Sequence, residues 1–153
     1  MKTVLTYGTF DLFHIGHLRL LERAAALGDA LYVGISSDEF NLIKGKKTAI
    51  SYDDRADIVG AIRCVAGVFR EDNWDQKRND ITRLNADIFV MGDDWAGKFD
   101  DLCDLCEVSY LTRTSDISTT ELKSTLSRLK TDKVVELKRS VEDLQGLITQ
   151  LTE

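Results

Sequence analysis

Short runs of β-branched and aromatic residues alternate with stretches of helical spacing along most of the chain, and that alternation permits few folds. Strands joined by helices make βαβ units, whose parallel sheets are covered on both faces. Thr3 to Tyr7, Leu31 to Ile35, Gly67 to Arg70, Asp87 to Met91 and Glu107 to Leu111 read as strands. Leu18, Leu20, Leu21, Ala24, Ala25 and Leu27 recur at helical spacing and stop at Gly28, a C′ residue. Ser51 caps a helix with Asp53 and Asp54 in its first turn, continued by Ile58, Val59, Ile62 and Val65. Asp75 to Leu84 reads as a polar helix and Gly97 to Leu105 as a short one. Segment 41–50, with Lys44, Lys46 and Lys47 around Gly45, lacks periodicity and is expected to be a mobile loop. Ser118 and Glu121 form an S-x-x-E capping box that opens a last helix.

The tail differs in kind. Val134, Leu137, Val141, Leu144, Ile148 and Leu151 recur at alternating intervals of three and four, an a/d heptad seam. The expected organisation is therefore one domain over residues 1–130 and a heptad-patterned helical extension over 131–153. Such a seam packs on another chain or docks on its own domain. Valine at a and leucine at d suit a parallel pair, while Ile148 and the short length leave antiparallel and higher-order packing open. Acidic residues outnumber basic ones in this stretch, which argues against a membrane-surface helix.

Lys and Arg number 20 against 26 Asp and Glu, a net charge of −6. That balance speaks against a nucleic-acid scaffold, whose footprint is a basic surface. With 43% hydrophobic and 30% charged residues the chain reads as globular, and no apolar run is long enough to span a bilayer. The first residues lack the apolar core of a signal peptide, and three cysteines are an odd number, so reduced thiols and a cytoplasmic location are expected. Cys103 and Cys106 form a lone C-x-x-C that precedes a strand, with no second pair, so neither zinc nor redox chemistry is expected from them.

Both histidines of the chain lie in His14-Ile15-Gly16-His17, where strand one gives way to helix one. A scattered histidine usually satisfies a backbone group, but two clustered at such a turn point to chemistry. The turn belongs at the carboxyl end of a parallel strand, where open α/β sheets bind ligands. A helix N-terminus offers free N–H groups and a positive dipole to phosphate, and glycine at 16 permits close approach.

Gly8-Thr9-Phe10-Asp11 followed by His14-Ile15-Gly16-His17 resembles the signature of the HxGH nucleotidyltransferases. Met91-Gly92-Asp93-Asp94-Trp95 and Arg113-Thr114 with Ile117-Ser118-Thr119-Thr120 resemble the M-G-D-D-W and R-T-x-G-I-S-T-T motifs of its bacterial glycerol-3-phosphate cytidylyltransferase branch. Asp116 stands where that motif has glycine, and the stretch beyond about residue 130 has no counterpart in it. The resemblance implies a Rossmann-like α/β fold, with a five-stranded parallel sheet in order 3-2-1-4-5, helices on both faces and a C-terminal helix. It implies cytidylyl transfer from CTP to sn-glycerol 3-phosphate, giving CDP-glycerol for teichoic acid or capsule-type polymers. It also implies Mg²⁺ or another divalent cation bound with CTP, and a homodimer that the C-terminal helix can reinforce.

The same resemblance implies site roles. His14, His17, Lys46 and Arg113 are the expected catalytic groups. Thr9, Phe10, Ile15, Gly16, Asp94, Thr114, Ser118, Thr119 and Thr120 complete the CTP site; either Asp94 or backbone carbonyls of the same turn accept from the cytosine amine, and Asp93 and Asp94 also suit helix N-capping. Lys44 and Lys77 are assigned to the acceptor phosphate. Arg55 and Arg63, eight apart on one expected helix, either support that pocket or pair with surface acids. Trp74 is either a lid or core, and a tryptophan is more often core; no cluster resembles a dedicated metal cage. Competing readings are another phosphorylated acceptor (phosphoethanolamine, a sugar phosphate), adenylyl transfer, or a non-catalytic nucleotide-binding module.

Overall fold

The computed structural model describes residues 1–115 and 117–152, so Asp116 lies outside the described residues. It divides into two compact units, Met1–Ile117 and Ser118–Glu153. The first holds five strands, β1 (Thr3–Gly8), β2 (Ala30–Ser36), β3 (Gly67–Glu71), β4 (Ile88–Gly92) and β5 (Glu107–Leu111). They form one parallel sheet in the order β3-β2-β1-β4-β5. The crossovers carry α1 (Ile15–Ala25), α2 (Asp38–Ile43), α3 (Tyr52–Gly60) and α4 (Gln76–Leu84), with 3₁₀ turns at Asp93–Trp95 and Asp100–Asp104.

Alternation along the strands sends apolar side chains to both faces. On one face Val4, Leu31, Val33, Ile35, Ile88 and Val90 pack with Leu21 and Ala24 of α1 and Val59 of α3. On the other, Leu5, Tyr7, Phe89 and Met91 pack with Ile81 of α4 and with Phe99 and Leu102. Both faces are thus covered, as the near-continuous apolar strands require.

Three segments differ from the sequence reading. Part of the lysine segment is helical: Ser37 caps α2 by accepting the Phe40 N–H at 3.1 Å, with Asp38 and Glu39 in its first turn. Periodicity missed it because a helix of 6 residues shows too little of a 3.6-residue repeat, and Leu42 and Ile43 on it are exposed. The helix opened by Ser51 ends at Gly60, while Ile62 and Val65 reach the core from the turns that follow. The Gly97 to Leu105 helix is a 3₁₀ turn of 5 residues.

The second unit is one helix, α5 (Thr119–Thr152). Its start is fixed by Ser118, whose hydroxyl accepts the Glu121 N–H at 3.1 Å and donates to the Glu121 carboxylate at 3.0 Å. The helix continues unbroken through residue 130, and the chain passes from the first compact unit to the second between Ile117 and Ser118. No helix among the described residues is long and apolar enough to cross a membrane.

Candidate active site

Parallel pairing puts the carboxyl ends of all five strands on one edge, and order 3-2-1-4-5 reverses chain direction between β1 and β4 there. The turn after β1 is shaped by Phe10 and Leu12, both at positive φ (53° and 48°). Gly8 makes room for it, because a Cβ there would stand 2.8 Å from the Phe10 ring. Asp11, buried, accepts the Leu12 N–H at 3.1 Å and reaches forward to the N–H groups of Ala49 (2.8 Å) and Ile50 (3.0 Å). The histidine turn and the end of the lysine segment are therefore tied together.

His14 caps α1, its Nδ1 accepting the Gly16 N–H at 3.0 Å, while the His14 N–H donates to Nδ1 of His17 at 3.3 Å. A Cβ on Gly16 would lie 2.8 Å from the His14 ring, so glycine is what lets the ring fold over that N–H. The two rings stack with centroids 3.8 Å apart and planes at 23°. Burial lowers the His14 pKa, and burial together with the neighbouring His14 pushes His17 down to about 4. Both rings are neutral at pH 7. A neutral imidazole whose Nδ1 accepts carries its proton on Nε2, so each is fixed as an Nε2–H donor at the α1 N-terminus.

Lys44 and Lys77 meet at the ends of β2 and β3. The buried Glu71 carboxylate is ion-paired with Lys77 and accepts the Ser36 hydroxyl at 2.6 Å; Lys44 Nζ donates to Ser36 Oγ at 2.9 Å. Trp74 covers both ammonium groups, its ring centroid 5.5 Å from Lys44 and 4.8 Å from Lys77. Read as core, Trp74 is instead 41% exposed, packed edge-on to Phe40 and tilted against Trp95. An indole serves here because its face attracts cations while its edge tolerates water. Burial lowers the Lys44 pKa to about 8 against the opposing pull of Glu71, with Lys46, Lys77 and Arg55 adding to the fall.

Arg55 is fully buried and acts as a clamp. It donates to the carbonyls of Ile50 (3.0 Å), Thr9 (2.6 Å) and Ser36 (2.9 Å) and to the Asp38 carboxylate (2.7 Å). It binds the ends of β1 and β2 and the start of α2 together. Asn41, also buried, adds a second tie by accepting from the Thr9 hydroxyl at 2.8 Å. Arg63 is not brought to this edge. It follows the end of α3, and Ala66 just beyond donates to the Leu31 carbonyl at the amino end of β2. The expectation that Arg55 and Arg63 share a helix face fails because α3 stops at Gly60.

The remaining expected residues fall as follows. Thr9 and Phe10 lie in the first turn, Ile15 and Gly16 open α1, and Lys46 is exposed after α2 with its N–H on the Asn41 carbonyl at 2.8 Å. Asp94 is exposed in the 3₁₀ turn that ends β4. Arg113 and Thr114 leave the carboxyl end of β5, and that segment returns to the histidines: Ile117 Cγ2 lies 3.3 Å from where a Gly16 Cβ would be. Ser118, Thr119 and Thr120 open the second unit. Sequence reasoning missed Ser36, Asn41 and Glu71, whose meaning comes only from long-range partners; the role of Asp11, inside a recognised motif, was signalled but not drawn.

Comparison with known proteins agrees with this geometry. The cytidylyltransferase-like family profile matches residues 5–125. The chain is 59% identical over 129 residues to the glycerol-3-phosphate cytidylyltransferase of Bacillus subtilis strain 168, covering 84% of this chain and all of that one. It is 52% identical over 126 residues to the enzyme of the same name from Staphylococcus aureus, covering 82% and 96%. Among solved structures, a lipopolysaccharide core biosynthesis protein from Thermoplasma volcanium superposes with a TM-score of 0.65 at 20% identity, over 75% of this chain and 99% of that one, a likeness of fold. The chain belongs to the cytidylyltransferase-like family of nucleotidyltransferases.

Proposed function

We propose that the chain transfers a cytidylyl group from CTP to sn-glycerol 3-phosphate. A phosphate oxygen of the acceptor attacks the α-phosphorus of CTP, the bond from that phosphorus to the bridging oxygen breaks, and pyrophosphate leaves with the electron pair, giving CDP-glycerol. A phosphate monoester is already a nucleophile, so catalysis consists of positioning and charge stabilisation. The observation that carries this reading is the pair of neutral Nε2–H donors at the N-terminus of α1, on the same sheet edge as the Lys44–Lys77 corner.

In this reading His14 and His17 hydrogen-bond the reacting and leaving phosphates, where a preorganised donor acts most strongly as charge develops. Thr9, Phe10, Ile15 and Gly16 line the nucleotide, Lys46, Arg113 and Thr114 hold its phosphates, and Asp94 accepts from the exocyclic amine of cytosine. Lys44 and Lys77 hold the acceptor phosphate, with Arg55 as a positioning residue behind both subsites. A divalent cation arrives with CTP as part of the substrate. The described residues contain no group of three His, Cys, Asp or Glu that could hold it, and each histidine Nδ1 is engaged by a backbone N–H.

The names of the two relatives support the acceptor, and the product suits a cytoplasmic enzyme feeding wall teichoic acid or capsule-type polymers. Two copies associate, with the C-terminal helix reinforcing the pair. Pyrophosphate release measured over four nucleoside triphosphates and several phosphorylated acceptors tests the reaction. CTP with glycerol 3-phosphate is expected to dominate. Dominance of ATP, or of phosphoethanolamine or a sugar phosphate, overturns the substrate assignment, and no release with any pair leaves a binding module.

A further inference from the structure

Along α5, Val134, Leu137, Val141, Leu144, Ile148 and Leu151 fall on one face, and each is at least 52% exposed. This stretch lies beyond the family match, which ends at residue 125, so the needs of the catalytic domain do not explain it. A row of six large apolar side chains in water is a surface that packing removes. Its polar side is not basic, as a membrane-surface helix would be.

We propose that this face packs against the same face of a second copy of the chain with the two helices antiparallel. The inference rests on the self-association proposed above and adds its orientation. With Val134 at a and Leu137 at d, Lys133 occupies g and Lys138 occupies e. A parallel pair sets each g residue beside the e residue of the next heptad on the other helix. Lys133 would then face Lys138 twice in the dimer, a like-charge contact that opposes that alignment. In the antiparallel pair a faces d, so Val141 lies opposite Leu144, Val134 opposite Leu151 and Leu137 opposite Ile148. The flanking contacts become Lys138 with Gln145 and Ser140 with Leu147, none of like charge.

Charge at the two ends agrees. Over residues 131–140 Lys133, Lys138 and Arg139 outnumber Asp132 and Glu136, and the charged residues after them, Glu142, Asp143 and Glu153, are all acidic. Antiparallel alignment lays the part of net positive charge on one helix along the acidic part of the other, whereas parallel alignment superposes acidic on acidic. The pairing is also its own mirror under a two-fold axis, so it closes at two chains.

The test uses the full chain with Cys64, Cys103 and Cys106 replaced by serine, carrying either Leu137→Cys or Ile148→Cys, one of the two with a size tag. Under mild oxidation the mixture of L137C and I148C chains is expected to form the disulfide-linked mixed dimer at least about tenfold faster than either chain links to itself. In the antiparallel pair each of these positions is offset from its own copy by 11 residues, about 16 Å along the axis, beyond the roughly 7 Å Cα reach of a disulfide. Self-linking of L137C as fast as the mixture shows a parallel pair and overturns the inference. A dimer by sedimentation with no cross-link at either position places association elsewhere, overturning the inference but not the self-association. A monomer by sedimentation overturns both. Turnover of each variant confirms that it is folded.

Discussion

Glu71 holds Lys77 in an ion pair whose two side chains are each only 3% exposed. One carboxylate thus stands behind two ammonium groups, since its other oxygen takes Ser36, the partner of Lys44. The corner keeps an excess of positive charge, yet neither lysine is left bare in a poorly solvated place. That is an arrangement suited to receiving a phosphate, because the donors are held before the anion arrives and little ordering remains to be done on binding.

Lys77→Ala is accordingly expected to do two things. Removing one member of a buried pair strands the other, at a cost of about 3–5 kcal/mol, read as a fall in the urea midpoint. Losing one of two acceptor donors raises KM for glycerol 3-phosphate much more than KM for CTP. Equal shifts in both KM values would reduce Lys77 to a structural part.

Lys44 predicts a pH effect. Its pKa is lowered to about 8, so in the free enzyme its charge is lost as pH rises through that value. kcat/KM for the acceptor, which reports the free enzyme, should fall above pH 8 while KM for CTP changes little. Lys44→Arg, which stays charged, should remove the fall. A wild-type profile flat to pH 9.5 or so would detach Lys44 from phosphate binding.

The histidine turn was legible because two rare side chains share a short motif, and the alternation of strands and helices gave the layers. The lysine corner was legible only in part. Lys44 and Lys77 could be named, but Glu71 has an ordinary sequence context, and its partner Ser36 is 35 positions away. Arg55 looked like a surface or pocket cation, because nothing local announces that three carbonyls and a carboxylate converge on it. Helix α2 was hidden by its brevity. Local pattern reports which face a residue lies on; it does not report which distant group satisfies it.

Replacing either histidine by alanine should lower kcat by about 10² or more, as loss of one preorganised donor does. The pH dependence separates this role from that of a charged imidazolium. Both pKa values lie below the ordinary 6.5, His17 at about 4, so lowering the pH should not make kcat fall with a midpoint near 6.5. Stability moves the other way. Between about 6.5 and 4 the unfolded chain takes up a proton that the folded His17 ring refuses, so stability falls as pH falls through that window. His17→Gln should flatten this part of a plot of Tm against pH. A kcat that falls as pH rises through about 6.5 would mean that a protonated histidine is needed.

Arg55→Lys tests the clamp. A lysine cannot present the planar fork that serves Ile50, Thr9, Ser36 and Asp38 together, and buried carbonyls left without donors cost about 1–3 kcal/mol each. Lower Tm is expected, with KM raised for both substrates, because Thr9 belongs to one subsite and Ser36 to the other. A variant with both KM values intact would confine Arg55 to stability.

Truncation after Leu129 asks what the end of α5 contributes. A helix of about 20 residues without an alanine-rich composition is marginal alone, so the exposed seam must gain its stability from packing. The residues assigned to the two substrates all precede the cut, and the family match ends at residue 125. Sedimentation of the shortened chain is therefore expected to show weaker self-association, and turnover per active site is expected to stay close to that of the full chain. Unchanged assembly would send the seam back to its own domain. Lost turnover at an unchanged Tm would mean that the end of the helix shapes the site.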